Sequence, residues 1–198
     1  MVSGSADNDL TLEDNLAGVK GIIAAGVNAK PHPKPVTIDL TDGYSEHLER
    51  AVEDIIKLGA VGCNIEDFDR TTNALWPVEE AAARCGVPDF VVNARCDALF
   101  QGGSNAGMDA AIQPGKAYLA AGATTVFVWG GGGRVVSSEE VKRLVSEFGG
   151  MLNVSMQLRD GYLKKDEIQA LGVARVSVGP GLYTKALNAF ASAADALL

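Results

Sequence analysis

The sequence predicts an α/β protein built from repeated strand–helix units on a parallel sheet, and three observations predict it. From residue 35 onward, short β-rich runs alternate with stretches of helical apolar spacing. The short runs are apolar on both faces, as strands are when helices cover both sides of a parallel sheet. Polar residues gather where those runs end, the edge at which parallel α/β folds build their sites.

The elements follow in order. LTLEDNLAGVKGIIAA (11–26) reads as a leading helix. PVTIDL (35–40) is the first strand, and residues 42–59 have helical spacing through Leu48, Ala51, Ile55 and Leu58, with Gly59 free to take a left-handed cap. AVGCNIED (60–67) is the next strand and a polar loop follows through Asn73; residues 76–86 read as helix, with Pro77 suited to its first turn. DFVVNAR (89–95) is a strand, and a glycine-rich loop (101–107) leads to a helix over 108–121 that contains Pro114 and ends at Gly122. ATTVFVW (123–129) is a strand and GGGGR (130–134) a flexible connection. Residues 137–149 form a helix opened by Ser137, with glutamates in its first turn, and stopped by Gly149. Strand 151–156, helix 164–172, strand 173–179 and a final helix from Pro180 complete the rhythm.

The 198 residues suit one domain, 1–198. Six strand–helix units are visible, whereas an eight-unit barrel takes about 250 residues. A doubly wound open sheet fits the length better. The polar residues nevertheless face one mouth, as in a barrel. The expectation is therefore a (β/α)8 barrel lacking its first strand–helix unit and most of its second strand.

Composition narrows the function. A net charge of −8, from 25 acidic and 17 basic residues, argues against nucleic acid and anionic membrane surfaces as partners. Cys63, Cys85 and Cys96 are odd in number and lack a C-x-x-C pair, which reads as buried thiols in a reducing compartment. No apolar run approaches the ~20 residues that cross a bilayer. The N-terminus lacks the basic and apolar regions of a signal peptide, so a cytoplasmic location is expected.

The strand ends carry the chemistry: Asp39 and Asp42; Asn64, Glu66 and Asp67; Asn93, Arg95 and Asp97; Trp129; Asn153 and Ser155; Ser177 and Gly179. Carboxylates beside one arginine suit a hard divalent cation held partly through water, with an anionic substrate gripped by the guanidinium. Ordinary capping is the alternative for any single residue, because Asp, Asn and Ser are favoured where strands turn into helices. NIED and NAR at consecutive strand ends favour a site.

PVTIDLTDGYS, GAVGCNIED, DFVVNARCD, AGATTVFVWGG, LNVSM and LGVARVSVGPGLY stand in the order found in the phosphoenolpyruvate mutase/isocitrate lyase superfamily, which the chain resembles from about residue 2 to 198. The resemblance implies a (β/α)8 barrel with Mg²⁺ at its mouth. It also implies a small anionic 2-oxo acid or enolate, whose C–C or P–C bond is formed or broken next to a carboxylate. It places Asp39 and Glu66 in the metal shell and gives Arg95 the substrate's carboxylate or phosphonate. It puts Ser3 and Gly4 at a Ser–Gly turn that offers backbone N–H groups to the substrate. Asn153, at a later strand end, joins the expected substrate-binding set.

Departures from the family pattern are equally visible. In D-x-D-T-G-Y-G the second aspartate falls at Thr41 here, with Asp42 one place later, so Asp42 is expected to serve the metal through water or to face elsewhere. The K-K-C-G lid motif is absent and the loop reads FDRTTNALWP; Cys63 is expected to be core, not a substitute for the lid cysteine. GGGG at 130–133 lacks the lysine–serine pair of a phosphate loop, His32 lies in the extended stretch KPHPKP, and His47 sits on a solvated helix face. Trp129 either walls a pocket or fills the layer above the sheet. The leading expectation is a Mg²⁺-dependent lyase-type enzyme acting on a 2-oxo or hydroxy-dicarboxylic acid. The alternative is a non-catalytic family member that binds or assembles. Exposed strand edges make a homo-oligomer the expectation in both cases.

Overall fold

The computed structural model describes residues 9–102, 107–131, 134 and 136–197. The chain divides into two compact units, Met1–Val135 and Val136–Leu198.

The first unit opens with helix α1 (Leu12–Val27), whose Thr11 cap and Asp14 satisfy each other's backbone N–H groups. Strand β1 (Thr37–Asp39) runs into a 3₁₀ turn (Ser45–His47) and helix α2 (Leu48–Leu58), which Gly59 ends at φ 101°. Strand β2 (Gly62–Glu66) is followed by a small antiparallel hairpin of β3 (Phe68–Asp69) and β4 (Ala74–Leu75), then helix α3 (Val78–Ala83). Strand β5 (Val91–Cys96), helix α4 (Ala98–Gln101), helix α5 (Asp109–Ala120) and strand β6 (Thr125–Val128) complete it.

Strands β1, β2, β5 and β6 pair in that order, all parallel. The register aligns Asp39 with Asn64, Asn64 with Asn93, and Asn93 with Thr125; two residues on, Glu66 aligns with Arg95. Parallel pairing thus places Asp39, Glu66 and Arg95 at neighbouring carboxyl ends. Ile38, Cys63, Ile65, Val92, Ala94, Cys96, Val126 and Val128 are buried along one face of these strands; the alternate positions carry Asp39, Asn64, Asn93 and Thr125, then Glu66 and Arg95, so the strands are apolar on one face and not on both as expected. Gly62 is a close approach: a Cβ there would lie 2.7 Å from the Cβ of Val91.

In the second unit, Ser137 and Glu140 cap helix α6 (Ser138–Glu147) reciprocally, as the sequence predicts. Strand β7 (Leu152–Ser155), helix α7 (Lys165–Ala170), strand β8 (Arg175–Ser177) and helix α8 (Gly181–Asp195) follow, with β7 and β8 parallel. Val141, Leu144, Phe148, Leu152, Val154 and Ile168 form its core, and α8 buries no residue.

Six strand–helix units are therefore present among the described residues, against the eight of a complete (β/α)8 barrel. Three local expectations shift. Helix α2 begins at Leu48 rather than 42, because residues 41–45 are held in an irregular turn with Thr41, Tyr44 and Ser45 at positive φ. The polar loop after β2 is the hairpin β3–β4, and the end of β5 carries the extra short helix α4. Residues 1–8, including MVSGS, lie outside the described residues.

Candidate active site

Arg95, on β5, is the centre of the cluster. Its Nη1 donates to Glu66 Oε1 at 2.6 Å across the β2–β5 pairing, and its Nε donates to Asp97 Oδ1 at 2.7 Å. The guanidinium lies over the Trp129 ring, 3.8 Å from its centroid, and Phe100 packs against that indole with centroids 4.9 Å apart. The Trp129 ring thus stacks on the Arg95 plane.

The surrounding charge is acidic. Burial pushes the Glu66 carboxyl up to about 8, because the pull of Arg95 is offset by Asp39, Asp97 and Asp42. Burial likewise pushes Asp97 up to about 6 against the attraction of Arg95. Behind them, Asp67 Oδ1 accepts from the Asp97 backbone N–H at 2.7 Å and its Oδ2 from the Tyr118 hydroxyl at 2.7 Å. This buried brace fixes where Asp97, and through it Arg95, can stand.

Asp39 ends β1 and is itself exposed. Its Oδ1 accepts from the Thr41 N–H at 3.0 Å and from Asn64 Nδ2 at 3.3 Å. Asn15, from α1, donates to the Asp39 carbonyl at 2.9 Å and to the Tyr44 hydroxyl at 2.7 Å, tying the first helix to the same turn.

Asp42 stands apart from this group. Its side chain is 1% exposed and ion-paired to Arg70 of the hairpin, with Nε 3.0 Å from Oδ1, while the Arg70 and Tyr44 backbone N–H groups also donate to the carboxylate. Arg84 donates to the Asp42 carbonyl, and the Arg70 guanidinium lies 5.1 Å from the Tyr44 ring centroid. Asp39, Asp42 and Glu66 are therefore not gathered as one ligand set: Asp42 closes the hairpin onto the β1–α2 turn. Among the described residues, no three His, Cys, Asp or Glu side chains converge as a metal cluster.

The other candidates are quickly placed. Ser3 and Gly4 lie outside the described residues. Asn153 belongs to the second unit, 2% exposed on β7, with its buried Oδ1 lacking a hydrogen-bond partner among the described residues. Cys63 is fully buried, its thiol pushed up to about 12 by burial, as a core residue should be. His47 is exposed beside Glu46. Among the described residues no helix is long and apolar enough to cross a membrane. Sequence reasoning missed Arg70. The signal was Asp42 itself, an acid one place out of the family pattern followed by a loop with a single basic residue.

Carboxylates around one arginine at consecutive strand ends stand where parallel α/β folds build small-molecule sites. The chain belongs to the phosphoenolpyruvate phosphomutase family, whose model matches residues 1–198. It is 31% identical over 165 residues to an uncharacterized protein of Mycobacterium tuberculosis, covering 82% of this chain and 61% of that protein. The chain thus spans less than two thirds of that relative's length. It is 34% identical over 110 residues to 2-methylisocitrate lyase of Escherichia coli, covering 47% of this chain and 36% of that enzyme. The crystal structure of 2,3-dimethylmalate lyase, at 22% identity, shares the fold with a TM-score of 0.78 over 99% of this chain and 68% of that one.

Proposed function

We propose that the chain is a Mg²⁺-dependent lyase-type enzyme acting on a small 2-oxo or hydroxy-dicarboxylic acid through an enolate, by C–C or P–C bond chemistry. The observation that carries this reading is the acid surplus around Arg95: one guanidinium is shared by Glu66 and Asp97, with Asp39 repelling Glu66 from the neighbouring strand end. A free dicarboxylate would meet little net positive charge there, so a cation is needed before an anion binds well.

The donor chemistry fits Mg²⁺. Asp39 and Glu66 are hard oxygen donors on adjacent strands, and Mg²⁺ is commonly held by one or two carboxylates with water and substrate filling the rest. Asp42 is committed to Arg70, which supports a two-carboxylate set rather than three. When bound, the ion would supply Lewis-acid stabilisation of the oxygen on which negative charge develops. Arg95 would bind and orient the substrate carboxylate, its plane held by Trp129 and its reach set by Asp97. Ser3, Gly4 and Asn153 enter as substrate contacts through the family likeness alone. The bond acted on is framed by 2-methylisocitrate lyase and 2,3-dimethylmalate lyase, whose names describe hydroxy-acid cleavage in those relatives.

One observation favours a second reading, a non-catalytic member that binds or assembles: α8 buries nothing and exposes Leu182, Tyr183, Leu187 and Phe190. Calorimetric titration of Mg²⁺, with and without oxalate as an enolate mimic, separates the two. The enzyme reading expects binding that oxalate strengthens and that Glu66→Ala removes. Absence of Mg²⁺ binding in the unsubstituted chain overturns it in favour of the second reading, under which sedimentation should show a homo-oligomer.

A further inference from the structure

A polar ladder runs across the sheet of the first unit in one layer of side chains. Thr125 Oγ1 is 2.6 Å from Asn93 Oδ1, Asn93 Nδ2 is 2.7 Å from Asn64 Oδ1, and Asn64 Nδ2 is 3.3 Å from Asp39 Oδ1. These are the four residues that the strand register aligns, one each from β6, β5, β2 and β1. Asn93 and Thr125 are 2% and 5% exposed, on the sheet face that carries Glu66 and Arg95 two residues further along β2 and β5.

The ladder has a direction, and its carboxylate end sets it. An ionised carboxylate only accepts, so Asn64 must turn its NH₂ toward Asp39. That leaves the Asn64 oxygen facing β5, so Asn93 must donate to it. The Asn93 oxygen then faces β6, where only a donor can satisfy it, and Thr125 supplies an O–H. Reversing any amide would place two acceptors or two donors against each other in a buried layer. Stability alone does not require the arrangement, because apolar side chains of similar shape at buried polar positions are often neutral or stabilising. Its one directional product is a fixed Asp39 carboxylate, with Oδ1 held by Asn64 and by the Thr41 N–H.

We propose that Thr125, Asn93 and Asn64 form a positioning relay that fixes the Asp39 carboxylate from three strands away. The metal arm of its test rests on the reading of Asp39 as a Mg²⁺ ligand; the relay itself does not. Each link polarises the next, so loss of the Thr125 donor should be felt at Asn64, which Thr125 does not touch. Thr125→Val removes the hydroxyl at constant shape, and Thr125→Ser restores a donor.

The experiment reads two signals on the full chain: the side-chain amide resonances of Asn64 by NMR, and the calorimetric Kd for Mg²⁺ alone. Thr125→Val is expected to shift the Asn64 amide protons upfield and to weaken Mg²⁺ severalfold, while Thr125→Ser returns both toward the unsubstituted values. A merely structural hydroxyl would lower the melting temperature and leave both signals in place, and that result overturns the relay. Should the unsubstituted chain bind no Mg²⁺, the metal reading fails, and the relay stands or falls on the Asn64 amide shift.

Discussion

Two places in the first unit bring arginine and carboxylate together, and they are built in opposite senses. At the ends of β2 and β5 one arginine, Arg95, serves Glu66 and Asp97, with Asp39 adding further negative charge. Between the β1–α2 turn and the β3–β4 hairpin, one aspartate receives two arginines: Arg70 on its carboxylate and Arg84 on its carbonyl. The first cluster has acid to spare and can use a cation. In the second, the hairpin arginine already meets Asp42, which works as a clasp. Sequence spacing makes Asp39 and Asp42 look like one pair; the difference in their company separates them.

Breaking the clasp should have the largest effect. Removing one partner of a buried ion pair strands the other, at a cost of about 3–5 kcal/mol. Asp42→Ala should therefore lower the unfolding free energy by roughly that amount, measured by urea denaturation. Where the variant remains folded, its Mg²⁺ affinity should match that of the unsubstituted chain. A variant of normal stability that had lost Mg²⁺ would return Asp42 to the metal shell and erase the contrast between the clusters.

The acid surplus of the first cluster should be visible as pH dependence in metal-free protein. Asp97 and Glu66 hold protons in the folded state up to about 6 and about 8, above their ordinary values of 3.8 and 4.5. Between the unfolded and folded values the native state binds more protons than the unfolded chain, so stability falls as pH rises. These two groups stabilise the fold most fully below pH 4, and their contribution fades through pH 6 and then pH 8. A single titrating group has a limiting slope of about 1.4 kcal/mol per pH unit. With EDTA present, Glu66→Gln should flatten the decline between pH 6 and 8, and Asp97→Asn the part below pH 6. A stability curve for the unsubstituted chain that is level from pH 5 to 8 would show that Arg95 balances its carboxylates.

How much of this was legible in the sequence follows from what each feature depends on. The strands and helices follow from local periodicity and caps, which is why Thr11, Ser137 and Gly59 stand at helix ends as local chemistry dictates. Glu66 and Arg95 were legible as neighbours because parallel strands in register bring their ends together. Asp42 was not, because its fate is decided by Arg70, 28 residues away in a loop with no periodicity to read. The positive φ values at Thr41, Tyr44 and Ser45 have the same origin. Gly43, at φ 75°, marks the turn, but the three non-glycine residues beside it persist there because Asn15, Arg70 and Arg84 hold the turn from other elements. Asn64 and Asn93 lay in plain view as strand-end polar residues, but Thr125, at the start of β6, and the direction of the ladder needed the register.

The smallest effect concerns Trp129, and it tests whether Arg95 is aimed or merely paired. Glu66 and Asp97 fix two edges of the guanidinium; the indole beneath fixes its plane. A partly buried cation–π contact contributes about 0.5–2 kcal/mol. Trp129→Leu keeps apolar bulk against Phe100 and both ion pairs, so the loss of stability should stay near the lower end of that range. Its effect on anion binding should be larger in proportion, because a guanidinium free to rock about its Glu66–Asp97 edge no longer offers its remaining donors in one plane. In the presence of Mg²⁺, oxalate should bind severalfold more weakly to Trp129→Leu, and Trp129→Phe should recover most of the loss. Equal oxalate affinity in all three proteins would mean that the two carboxylates alone aim Arg95, and that the indole only fills space above β6.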